Sequence, residues 1–244
     1  MLVTKSQVKY IQSLGHKKFR DEEELFVVEG PKIVGELLQA ANLRPRFIYA
    51  LREWSAGAAF RASGLPLTEV GEVDLARLSA LTTPNQVVAV FEKPRFPPVD
   101  VKKGLSLVLD GIQDPGNLGT IVRIADWFGI PRVICSGDSA DVFNTKAVQS
   151  TMGSISRVQV IYEEPVTLLE AHPDLPVYAA VLAGRSLYEM PKADRGFLVI
   201  GNESKGIRDT LLERTTHRVT IPRVGQAESL NAAVATGIIL SHLI

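Results

Sequence analysis

Apolar residues follow two distinct rhythms along this chain. In residues 6–14 (SQVKYIQSL), Val8, Ile11 and Leu14 recur at helical spacing, which predicts a short amphipathic helix. Residues 25–30 (LFVVEG) are instead a continuous apolar run closed by Gly30, read as a strand entering a turn. Residues 31–38 then read as a helix with Pro31 in its first turn. Further strands are predicted at 46–50 and 87–91, and a short helix at 75–78. Strands alternating with helices indicate an α/β domain. Residues 92–103 interrupt the pattern with Pro94, Pro97 and Pro98, which stiffen the chain and mark a linker.

The rhythm then restarts. Strands are predicted at 105–109, 132–135, 177–181, 197–200 and 219–221, with helices at 118–128 and 229–243. Strands that are apolar at nearly every position predict a parallel sheet covered on both faces. The expected organisation is a small α/β domain over 1–91, a linker over 92–103, and a second α/β domain over 104–244.

Composition narrows the classes. A single cysteine, Cys135, cannot form an internal disulfide or a cysteine cluster. His16, His172, His217 and His242 are scattered, so no protein-bound metal is expected. No apolar run reaches the roughly 18–20 residues of a bilayer span, and the polar N-terminus lacks a signal core. A cytoplasmic protein with no membrane partner is expected. Lys plus Arg is 27 and Asp plus Glu is 27, which excludes a globally basic surface. The basic residues Lys5, Lys9, Lys17, Lys18 and Arg20 nevertheless precede any acid. They read as a solvated helix face or as a contact for RNA phosphates.

Three loops leave apolar strands. The first, residues 110–123 (DGIQDPGNLGTIVR), opens a helix that Asn117 can cap, and carries Arg123. Ligands of open α/β sheets bind at this end of a strand. The second, residues 199–207 (VIGNESKGI), has glycines at phosphate-loop separation. Ile207 and Arg208 stand where such a loop needs Lys and Ser or Thr, so that reading is rejected. Glu203 within it can cap the next helix or serve a site. In the third, residues 221–235, Ser229 reads as a natural N-cap, with Asn231 in the first turn. No G-x-G-x-x-G occurs, which argues against a dinucleotide-dependent oxidoreductase.

Together, D-P-G-N-x-G-x-x-x-R, G-N-E-x-x-G and I-P-x-x-G-x-x-x-S-L-N closely resemble the three motifs of the SpoU/TrmH-type RNA 2′-O-ribose methyltransferases, over about residues 105–244. More weakly, the basic start and F-V-V-E-G-P-K resemble the small substrate-binding domain preceding the catalytic domain in many members. The resemblance implies an S-adenosylmethionine-dependent enzyme with a SPOUT-type parallel sheet and a C-terminal trefoil knot, and a homodimer. Asn117, Arg123, Glu203, Ser229 and Asn231 match the family's functional positions. Backbone at Leu182, Ala183, Gly184, Gly201, Ile221 and Leu230 would line the cofactor pocket. Arg223 departs from the apolar residue frequent after I-P. The substrate is expected to be 23S ribosomal RNA, with the same chemistry on transfer RNA as the alternative. A non-catalytic RNA-binding protein is the reading from a different class, and the intact motif residues argue against it.

Methyl transfer from a sulfonium needs no metal. The protein must align the groups, exclude water and see the 2′-OH proton removed. Two roles are open to Arg123: a base perturbed by its site, or a cation stabilising the developing alkoxide.

Overall fold

Burial follows the apolar runs. The computed structural model describes residues 3–56 and 64–244, and the chain divides into two compact units, Met1–Phe96 with Phe143–Ser156, and Pro97–Val142 with Arg157–Ile244.

In the first unit, α1 (Lys5–Ser13) buries Val8 and Ile11, as its spacing predicts, and is closed by a Thr4–Gln7 capping box. A second helix, α2 (Lys17–Glu23), lacks an apolar period and was not expected from the pattern. β1 (Leu25–Glu29) is buried throughout and α3 (Pro31–Leu37) begins at Pro31. The unit continues with β2 (Pro45–Ala50), α4 (Arg52–Ser55), β3 (Leu67–Glu69), α5 (Glu72–Leu78) and β4 (Val87–Glu92). The sheet order is β1-β4-β2-β3. β4 pairs antiparallel with both β1 and β2, and only β2–β3 is parallel. Val8, Ile11, Leu14, Val27, Leu75, Leu78 and Val90 share one apolar cluster on this sheet.

Segment Phe143–Ser156, which the sequence pattern leaves inside the second domain, packs with the first unit. It carries helix α7 (Thr145–Thr151). Gln149 Nε2 donates to the Glu29 carbonyl at 2.6 Å, Asn42 Nδ2 donates to the Ser156 carbonyl at 2.9 Å, and Phe143 lies against Phe26. These pairs are 120 and 114 residues apart in sequence, beyond the reach of any local pattern.

No helix or strand forms between Glu92 and Leu105. The second unit is an α/β fold on a fully parallel sheet. Its strands are β5 (Leu105–Asp110), β6 (Arg132–Cys135), β7 (Gln159–Tyr162), β8 (Val177–Ser186), β9 (Gly196–Gly201) and β10 (His217–Thr220), in the order β10-β8-β9-β5-β6-β7. The central strand β5 is buried at every position and β9 at all but its last, consistent with covered faces. Helices α6 (Pro115–Trp127), α8 (Pro165–Ala171), α9 (Asp209–Leu212) and α10 (Ala232–Leu243) complete the unit. β7 and α8 escaped the sequence pattern because each is short and β7 is only half-buried at an edge.

Two helix starts differ from expectation. α6 begins at Pro115, not 118, because the Asp114 carboxylate caps it by accepting the Asn117 amide at 2.8 Å, so Asn117 is not the cap. α10 begins at Ala232, not 229. Asn231 is the cap, its Oδ1 accepting the amides of Ala233 and Val234, and Ser229 is not. Residues 182–184, expected as a loop, lie within β8, whose pairing with β10 jumps from Ala179 to Arg185 between Arg218 and Val219. Residues 180–184 therefore bulge out of the ladder.

Candidate active site

β5 and β9 are neighbours, and their last residues, Asp110 and Gly201, are register partners. Successive strands run outward from β5 through β6 to β7, while β9, β8 and β10 lie on its other side. The loops after β5 and β9 thus diverge at a reversal of strand order, where open α/β sheets bind ligands.

Three of the sequence-derived residues meet there. Asn117 Nδ2 donates to Glu203 Oε1 at 2.6 Å, and Asn231 Nδ2 donates to Asn117 Oδ1 at 2.8 Å. The direction of this relay is set from its far end. Asn231 Oδ1 is committed to the first amides of α10, so its Nδ2 must donate onward. Asp114 caps α6, which frees the Asn117 amide side chain to join loops 86 and 114 residues away. The relay ends on the carboxylate of Glu203.

The loop carrying Glu203 is closed on itself. Asn202 and Gly206 exchange two backbone hydrogen bonds at 3.0 and 2.9 Å, and Asn202 Oδ1 accepts the amides of Ser204 and Lys205. Asn202 Nδ2 donates to the Gly111 carbonyl at 2.6 Å. Gly201 has no room for a side chain, since a Cβ there would collide with the backbone of Gly206 and Ile207. Asp110, 2% exposed, accepts the Arg208 amide at 2.7 Å and Arg208 Nε at 2.6 Å. Sequence reasoning missed Asp110, Asn202 and Arg208 as site-forming residues. An acid ending an otherwise apolar strand was the available signal for Asp110.

On the other flank of β5, Ser136 Oγ accepts the Gly111 amide and donates to Asp138 Oδ1 at 2.6 Å. That hydroxyl, followed by further local hydrogen bonding and the charges of Arg208 and Lys205, holds the Asp138 carboxyl below its ordinary pKa. Cys135 is fully buried, and desolvation pushes its thiol up to about 12. It is a packing residue.

Arg123 is exposed on α6, two turns past Asn117. Among the described residues neither the Arg123 side chain nor that of the exposed Ser229 has a hydrogen-bond or ion-pair partner. Residues 222–231 are all exposed, and Arg223 Nη1 bridges this stretch by donating to the Ala227 carbonyl at 3.1 Å.

The expected cofactor-lining positions offer backbone and apolar surface. Leu182, Ala183 and Gly184 are exposed on the bulge, Ile221 and Gly201 are half-buried, and Leu230 is exposed. Thr220 Oγ1 donates to the Leu182 carbonyl at 3.1 Å, and a Cβ on Gly184 would lie 2.6 Å from the Arg218 carbonyl oxygen. The bulge thus leaves Leu182 and Ala183 outside the β8–β10 ladder and exposed. Among the described residues no group of three or more His, Cys, Asp or Glu side chains is arranged to hold a metal.

In the first unit the basic residues separate. Lys5 and Lys9 are exposed on α1. Lys17 pairs with Asp21 at 2.5 Å and Lys18 with Glu22 at 3.8 Å, so α2 largely neutralises itself. Arg20 does not belong to an RNA-facing surface. It is 3% exposed, and its Nη1 donates to the carbonyls of Leu14 and Gly15 where the chain leaves α1.

Residues 104–241 match the family model for the SpoU rRNA Methylase family, and residues 5–89 match that for the MRM3-like substrate binding domain. The chain is 32% identical over 240 residues to the 23S rRNA (guanosine(2553)-2′-O)-methyltransferase RlmP of Bacillus subtilis, covering 97% of this chain and 95% of that protein. A TrmH-family RNA methyltransferase structure from Porphyromonas gingivalis superposes with a TM-score of 0.85 at 40% identity, covering 100% of this chain and 98% of the other. An AdoMet-bound rRNA methyltransferase from Sinorhizobium meliloti superposes with a TM-score of 0.86 at 31% identity, covering 99% and 95%. With the relay of Asn117, Glu203 and Asn231 assembled at the end of a parallel sheet, the chain belongs to the SpoU rRNA methylase family of S-adenosylmethionine-dependent RNA methyltransferases.

Proposed function

We propose that this enzyme methylates a ribose 2′-OH in 23S ribosomal RNA. The observation that carries the reading is the Glu203–Asn117–Asn231 relay, which joins three segments distant in sequence beyond the ends of the central strands β5 and β9. Similarity to RlmP over nearly the whole chain favours ribosomal over transfer RNA. S-adenosylmethionine, when bound, supplies an electrophilic methyl group. Backbone of 182–184, Gly201, Ile221 and Leu230 would hold it, and the relay fixes the loops that surround it. Arg123 faces solvent with its donors open. In this reading its guanidinium takes the RNA phosphate and the oxygen charge that develops as the 2′-OH loses its proton. Lys5 and Lys9 on α1 add phosphate contacts remote from the reacting ribose. Lys17 and Lys18 contribute less, because their charges are already paired.

The test is tritium-methyl transfer to 23S rRNA and to transfer RNA, with nuclease mapping of the ribose modified. Wild type is expected to label 23S rRNA. Arg123→Ala is expected to lower turnover about 100-fold or more, as loss of a group stabilising transition-state charge does, with little change in S-adenosylmethionine binding by calorimetry. Labelling of transfer RNA alone, or full turnover by Arg123→Ala, overturns the assignment.

The same reading includes a C-terminal trefoil knot, supported by membership of the SpoU rRNA methylase family. A circularised chain that stays more compact in denaturant than an unknotted circle of equal length is the expected result. It also includes a homodimer through α6 and α10, supported by Trp127, 85% exposed, and Val234, also exposed. No helix among the described residues is long and apolar enough to cross a membrane. We place the enzyme with its RNA in the cytoplasm, which cell fractionation checks.

A further inference from the structure

The carboxylate of Asp110 is buried at the end of the central strand, yet it faces only one residue of the Glu203 loop. That residue, Arg208, supplies both donors, its backbone amide to Oδ2 and its Nε to Oδ1. Asp110 is also the register partner of Gly201. The loop therefore leaves the sheet beside Asp110 and returns to Asp110 seven residues later. A buried carboxylate is costly unless fully hydrogen-bonded, and charge-assisted pairs of this geometry are directional as well as strong. The Arg208 guanidinium is held on its outer side by Glu164 Oε1 at 3.4 Å. Between the two anchored ends lie the Asn202–Gly206 hydrogen bonds, the Asn202 contact to Gly111, and Glu203, bonded to Asn117.

We propose that Asp110 and Arg208 are a positioning pair for methyl transfer, closing the loop so that Glu203 meets Asn117. This rests on the functional reading above. Neither residue touches the relay itself. Arg208 acts through Glu203, and Glu203 through Asn117. With the outer anchor loosened, the loop samples positions in which the Glu203–Asn117 bond is broken. Misplacement on the order of 1 Å costs up to about 100-fold in rate.

The experiment measures kcat, KM for 23S rRNA and calorimetric binding of S-adenosylmethionine for wild type, R208A, E203A and the double variant R208A/E203A, with a thermal melt of each. R208A is expected to lower kcat about 10- to 100-fold while S-adenosylmethionine binding changes less than about threefold. Because the pair works through Glu203, the double variant is expected within about threefold of E203A alone, the signature of residues acting in one unit. A purely structural role for Arg208 would instead multiply the two losses. Multiplying losses, or an R208A kcat equal to wild type, overturns the proposal. The side chain of Arg208 is 43% exposed. If R208A nevertheless fails to melt cooperatively, R208K, which keeps a cation without the planar fork, is put through the same cycle with the same two criteria. Failure of wild type to methylate ribosomal RNA overturns the functional reading instead, so the two outcomes are separate.

Discussion

Asn231 has two tasks. Its Oδ1 closes the N-terminus of α10, and its Nδ2 starts the relay to Asn117. Substitution by Ala removes both, at a stability cost of about 1 kcal/mol for the cap. Substitution by Asp separates them, since Asp caps as well as Asn but has no side-chain donor. Asn231→Asp is therefore expected to melt like wild type and lose turnover about 10-fold or more. Wild-type turnover in that variant would show that the relay is not used. Asp138 gives a pH prediction. Its carboxyl is held low in the folded state, chiefly by Ser136. The stability this contributes is present above the unfolded value near 3.9 and is lost as pH falls through the lower folded value. Ser136→Ala is expected to move acid unfolding to higher pH, read as melting temperature from pH 6 down to pH 2. Identical acid profiles would exclude the contribution. Arg20 marks the limit of residue-level reading. A run of basic residues was visible, but the C-terminal carbonyls of α1 that bury its guanidinium were not.

At the scale of elements, apolar runs located β1, β4, β5 and β9, because a strand covered on both faces must be apolar at nearly every position. Short or half-buried elements were invisible for the converse reason: α2, β7 and α8 carry too few core contacts to impose a period. The residues of the relay were legible as motif positions, but their local roles were not. The caps proved to be Asp114 and Asn231 rather than Asn117 and Ser229. The bulge of β8 shows the same limit. Residues 182–184 read as a loop, whereas the chain continues as a strand whose register breaks against β10. Gly184 permits that crossing, and Gly184→Ala would force a Cβ to 2.6 Å from the Arg218 carbonyl oxygen. That is backbone and not a flexible side chain, so the variant is expected to lose roughly 1–3 kcal/mol of stability, seen in denaturant titration, and to bind S-adenosylmethionine more weakly. Wild-type binding would remove this bulge from the cofactor site.

For the whole molecule, the balance of 27 basic and 27 acidic side chains excludes a uniformly basic RNA-coating surface. The proposed function assigns phosphate contact to local cations such as Arg123, Lys5 and Lys9, which are exposed. The uncovered Trp127 on α6 leads to one prediction at this scale. Trp127→Glu is expected to convert a dimer to a monomer by light scattering, because burying an unpaired carboxylate in an apolar interface is unfavourable. A monomeric wild type would refute that surface. By itself the sequence determined the α/β class and the parallel second sheet, and singled out Asn117, Glu203 and Asn231 as motif positions, because these depend on local apolar runs and on motif spacing. Only the tertiary structure decided that Asn117 joins Glu203 to Asn231, that Asp110 closes on Arg208, that Arg20 is buried, and that 143–156 belongs with the first unit. Each of these follows from contacts between segments distant in sequence or from the desolvation of a charge, and neither quantity exists until the chain has folded.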